Sequence, residues 1–134
     1  IIELTETISM GNNFMNYFQI IENVLENIGS NYLKINWDPC NIINEKHQIR
    51  AYPNFYKKIS SYVGHLHIKD GCIKDGKFEN KMIGEGVINW KEQIKDLMKD
   101  NYKGYFVVEP HFGHRIHSTD NHIKNIKKVI NEIE

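Results

Sequence analysis

Val63-Gly64-His65-Leu66-His67-Ile68-Lys69-Asp70 is the stretch on which the reading of this chain turns. Apolar and polar residues alternate along it, the pattern of a half-buried strand. In a strand, successive side chains point to opposite faces. Val63, His65 and His67 are therefore expected on one face, and Gly64, Leu66 and Ile68 on the other. Two imidazoles on one strand face need a chemical reason. Lys69 and Asp70 follow where such a strand would give way to a loop.

Working outward, residues 1–7 and 33–38 alternate in the same way, and residues 105–109 read as a further strand. Pro39 and Pro110 close the last two, because proline cannot donate to a strand ladder. Between the strands the period changes. Phe14, Tyr17, Phe18, Ile21, Val24, Leu25 and Ile28 recur at helical steps, with Asn12 or Asn13 as the N-cap and Gly29 as the stop. Pro53 opens a short helix carrying Phe55, Tyr56, Ile59 and Tyr62. Asn89 and Glu92 have capping-box spacing ahead of a helix burying Trp90, Ile94, Leu97 and Met98. Thr119 or Asp120 is expected to cap a last helix with Ile123, Ile126, Ile130 and Ile133 on one stripe. Residues 71–86 read as a polar loop with glycines at 71, 76, 84 and 86. Strand and helix thus alternate four times. That order predicts an α/β fold of four βα units with parallel strands.

The 134 residues suffice for one domain, spanning 1–134. With 17 basic and 17 acidic residues the formal charge is zero. No overall field draws nucleic acid or an anionic membrane, and neither is expected as a partner. No apolar run is long enough to span a membrane, and no signal peptide is visible. Two cysteines, Cys40 and Cys72, make no disulfide framework. They read as free thiols of a cytoplasmic protein. The first residue is Ile1, already inside a strand pattern, which reads as a piece of something longer.

The strand ends carry the chemistry. Glu6, Asp38, His67 and Glu109 each close a predicted strand, and in parallel βα architectures that end faces the functional side. Oxygen and imidazole donors together suit a divalent cation of the Mn, Mg, Co or Zn kind rather than a thiolate site.

Four motifs, in chain order, sharpen this reading. They are Asn36-Trp37-Asp38-Pro39-x-Asn41, His65-Leu66-His67-Ile68-Lys69-Asp70, Gly84-Glu85-Gly86-Val87-Ile88-Asn89-Trp90 and Val107-Val108-Glu109-Pro110. Together they resemble the C-terminal half of the xylose isomerase-like TIM barrels, the sugar phosphate isomerase/epimerase superfamily. That superfamily also holds the endonuclease IV type of AP endonuclease. The resemblance covers nearly the whole chain and implies half of an eight-stranded (β/α)8 barrel. It implies metal ligands at Glu6, Asp38, His67 and Glu109, with Glu3 as a rival to Glu6. Glu6 and Glu109 would also be the acid/base pair, flanking a sugar, sugar phosphate or inosose whose enediolate the metal stabilises. Asn41, His65 and Lys69 would meet the substrate, with Asp70 beside Lys69 at the loop edge. The DNA-repair branch fits less well. Asn41 stands where that branch has a histidine, and residues 71–81 contain none.

A half barrel would leave two strand edges unpaired and would turn apolar interior residues to water. Either a missing N-terminal half or a second copy would complete it. A degenerate metal-binding or interaction module is the alternative function.

Overall fold

The structure, a computed structural model, describes residues 2–3, 14–43, 52–111 and 115–133, with side chains from 19 onward in those ranges except 115–117. In chain order these residues form β1 (Ile2–Glu3), α1 (Phe14–Ile28), β2 (Ile35–Trp37), α2 (Asn54–Ile59), β3 (Val63–Ile68), β4 (Asp70–Lys74), β5 (Lys77–Lys81), α3 (Trp90–Lys99), β6 (Phe106–Val108) and α4 (Arg115–Asn131). A 3₁₀ turn over Ser60–Tyr62 joins α2 to β3. Among the described residues one sheet runs β1-β2-β3-β6 with every pairing parallel, and β4 and β5 form a separate antiparallel hairpin. The four expected βα units are therefore present, with β3 at the centre of the site-bearing strands.

One face of the sheet builds the core. Ile35, Trp37, Leu66 and Ile68 are fully buried. They pack with Leu25 of α1, Phe55, Tyr56 and Ile59 of α2, Ile94 and Leu97 of α3, and Ile126 of α4. Burying each such aliphatic side chain contributes about 1.5–3 kcal/mol. The Trp37 indole N–H donates to Gln93 Oε1 at 3.0 Å, so the indole keeps a partner inside this layer. The other face carries Asn36, His65, His67 and Val107, none of which joins the apolar cluster. Apart from Val107 this inner face is polar, not the apolar interior expected. The expected pairing of Val63 with the two histidines also changes. The β2–β3 register slips at Gly64, so that Ile35 faces Val63 but Asn36 faces His65, and Val63 joins the core.

Local signals account for most element ends. Gly29, at φ +56°, stops α1 while its N–H bonds the Leu25 carbonyl. The Asn89 side chain accepts from the Glu92 N–H at 3.2 Å and starts α3. Three expectations are corrected. Residues 71–86 are not a plain polar loop, because β4 and β5 pair from Asp70↔Lys81 to Lys74↔Lys77. Asp75 and Gly76, both at positive φ, make the two-residue turn. α4 begins at Arg115, ahead of the expected caps Thr119 and Asp120. Met98 is exposed, and Gln93 takes its place in the buried face of α3.

Candidate metal centre

The parallel register decides what meets at the C-terminal rim. Trp37 pairs with Leu66, so Asp38 lies level with His67, and His67 pairs with Val107, two residues before Glu109. Alternation turns Asp38, His67 and Glu109 to the inner side. Their ligand atoms lie within 4.8 Å of one another. His67 Nδ1 is 3.4 Å from Glu109 Oε2 and 3.9 Å from Asp38 Oδ2. The His65 ring stands edge-on to His67, with centroids 5.3 Å apart.

Asp38 is fully buried. Its Oδ1 accepts the N–H groups of Cys40 and Asn41 at 3.0 and 3.1 Å, which forms the turn after Pro39. Its Oδ2 faces His67 and the Lys69 ammonium, the latter at 2.9 Å. The same ammonium lies 2.6 Å from Glu109 Oε2. His111 Nε2 reaches that oxygen too, at 3.2 Å.

The electrostatics separate the two acids. Burial pushes Asp38 above the usual carboxylate value, although Lys69 pulls it back. Burial also raises Glu109, but Lys69 and His111 outweigh it and hold Glu109 below its usual value. For Lys69, burial favours the neutral amine, yet the two carboxylates prevail and keep the ammonium charged.

Asp70 does something the sequence did not suggest. It is buried, and it gathers four backbone N–H groups: Gly71 and Ile88 on Oδ1 at 2.9 and 3.2 Å, Gly84 and Gly86 on Oδ2 at 2.9 and 3.2 Å. A Cβ at Gly86 would sit on this carboxylate, which is why the Gly84-Glu85-Gly86 turn needs its last glycine. The Trp90 indole N–H donates to the Lys69 carbonyl at 3.1 Å. The loop before α3 is thus folded onto the residues that follow β3.

Of the residues expected in the site, the structure brings together Asp38, His67 and Glu109, with His65 and Lys69 beside them. Asn41 contributes its backbone N–H to Asp38. Glu6 lies outside the described residues. The rival Glu3 pairs with Asn36, which itself pairs with His65, so it stands two residues short of the level of Asp38 and His67. His111 is an addition, and its place directly after Glu109-Pro110 was the available signal. Cys40 and Cys72 are free thiols, and burial and neighbouring carboxylates push the Cys40 thiol far up, away from thiolate ligation. Two carboxylates and an imidazole at this spacing are a donor set that fits a divalent cation. No helix among the described residues is long and apolar enough to cross a membrane.

Comparison with known proteins agrees with the fold. A xylose isomerase domain protein from Planctomyces limnophilus superposes with a TM-score of 0.73 at 17% identity, over 98% of this chain and 44% of that one. A xylose isomerase-like TIM barrel protein from Mycobacterium smegmatis, solved in complex with magnesium, gives 0.70 at 16% identity over the same shares. The probable 3-DHS dehydratase AsbF of Bacillus anthracis, involved in petrobactin synthesis, gives 0.60 at 18% identity, over 85% of this chain and 44% of that one. The chain therefore spans less than half the length of these barrels and has the architecture of a half barrel. No curated protein sequence matches it. The family model for the xylose isomerase-like TIM barrel matches residues 1–131, and this chain belongs to that family.

Proposed function

We propose that this chain carries the metal-binding rim of a sugar isomerase or epimerase, working on a sugar, sugar phosphate or inosose by moving a proton on carbon next to a carbonyl. One observation carries the reading: Asp38, His67 and Glu109 converge within 4.8 Å at the C-terminal ends of three neighbouring parallel strands. Mn, Mg, Co or Zn fits the donors, and the magnesium of the Mycobacterium smegmatis relative supports a hard cation.

Bound there, such a cation supplies Lewis acidity toward the substrate's adjacent oxygens. The remaining work falls to side chains. Asp38, sealed from water and tied to the Cys40–Asn41 turn, serves as ligand and positions the rim. Glu109 is the more accessible acid and is held ionised, so it suits the role of proton acceptor. Glu6 is assigned the facing acid/base role and the fourth ligand position. His65 and Asn41 are assigned to the substrate side. Completion of the barrel falls to four further βα units, supplied by a separate half or by a second copy. Free Cys40 and Cys72 support a reducing, cytoplasmic setting.

The test is a screen of ketoses, aldoses and inososes with Mn²⁺, using the barrel-completing assembly. Glu109→Gln is expected to lower kcat by about 10²–10⁴-fold, the usual worth of a general base. Unchanged turnover in that variant would sink the assignment.

A further inference from the structure

Lys69 occupies a position that proton transfer does not explain. Its side chain is 8% exposed, and its ammonium touches Asp38 Oδ2 and Glu109 Oε2 at 2.9 and 2.6 Å. These are the same two oxygens that face His67 Nδ1. A divalent cation on this triad would sit about 2.0–2.2 Å from the same oxygens. The ammonium, bonded to those same oxygens, would then be left beside a like charge, with strong repulsion in a partly dry site.

The backbone around Lys69 is anchored by bonds that do not involve its side chain. Trp90 holds the Lys69 carbonyl, and four N–H groups hold the Asp70 carboxylate next door. The four-carbon stem can therefore move the ammonium without moving β3. We propose that Lys69 is an internal rival of the metal: its ammonium keeps Asp38 and Glu109 together and must leave those two oxygens before a divalent cation can take them. The inference rests on the metal-centre reading above. It means that the ligand carboxylates need no cation to stay close. It also means that the apparent affinity for a cation is lowered by the fraction of molecules in which the lysine is seated.

Isothermal titration with Mn²⁺ tests this on the wild-type chain, Lys69→Met and Lys69→Arg. Lys69→Met is expected to bind Mn²⁺ about tenfold or more tightly than wild type, and Lys69→Arg to stay near wild type, since the fraction of sites held by the rival cation sets the difference. Without added metal, Lys69→Met should melt below wild type, and saturating Mn²⁺ should close the gap. Lys69→Gln, checked by circular dichroism, replaces the Met variant if that one does not fold. Equal or weaker Mn²⁺ binding by the folded uncharged variant, with wild type binding normally, overturns this inference alone. Absence of Mn²⁺ binding in every variant overturns the metal-centre reading and the inference with it.

Discussion

Asp38 divides its two oxygens between folding and chemistry. Oδ1 shapes the Pro39 turn and Oδ2 faces His67 and Lys69. The turn and the proposed ligand role thus fall on different oxygens. Strand alternation at the C-terminal strand ends is why Asp38, His67 and Glu109 were legible; the slip at Gly64 upsets parity only at Val63, at the start of its strand. The direction of Lys69 was not legible, because its partners lie 31 and 40 positions away in sequence and only the register brings them together. Asp70 was hidden for a related reason, since its partners are backbone N–H groups that carry no side-chain signature. Asp70→Ala should expose that dependence. Stranding several buried N–H groups at about 1–3 kcal/mol each, it is expected to cost about 3 kcal/mol or more in urea unfolding. Gly86→Ala should act on the same contact and lower Tm in the same direction. Trp37→Phe leaves Gln93 Oε1 buried without its donor and should cost about 2 kcal/mol by the same measurement.

At the scale of elements, helices were better legible than loops. The stripe of α2 and the cap of α3 appear as the periodicity implies. The hairpin β4–β5 was missed because its strands are polar and glycine-bearing, so no alternation announces them, although Asp75-Gly76 is a typical hairpin turn pair. In α4 the polar run Ser118-Thr119-Asp120 resembles a cap but lies inside the helix, and Ser118 is buried there. The α2 end of the molecule is tied to α3 by two tyrosines: Tyr52 donates to Asp96 at 2.7 Å and Tyr56 to Asp100 at 2.9 Å. Tyr52 and then Lys99 hold Asp96 below the usual carboxylate value. Its stabilising share is complete above that usual value and is lost as pH falls through the lowered one. Burial first, and the bonds to Asp96 and Asp100 second, push Tyr52 and Tyr56 above the usual tyrosine value. Their share is complete below about pH 10 and is lost as pH rises through the raised values. The stability difference between wild type and Tyr52→Phe should thus form a plateau of about 1 kcal/mol between about pH 4 and 10. It should shrink on both sides, as read from urea midpoints across pH.

At the scale of the whole molecule, the two faces of the sheet have separate duties. The outer face holds Ile35, Trp37, Leu66 and Ile68 against the helices, and the inner face holds Asn36, His65 and His67. Most of the apolar burial is therefore complete without closing a barrel. The chain on its own is expected to unfold in one cooperative transition by calorimetry, because among the described residues one apolar cluster joins α1, α2, α3 and α4 to the sheet. Light scattering should separate the two routes to a closed barrel: twice the chain mass for a pair of copies, the single mass for a half that awaits a different partner. The sheet's polar inner face has a consequence for descent as well as for shape. A half whose core lies on its outside can be duplicated, exchanged or recombined with another half without repacking anything. Only the two strand edges have to find new neighbours. The rim of Asp38, His67 and Glu109 would travel with it as an inherited cassette, free to be set against a different opposite wall.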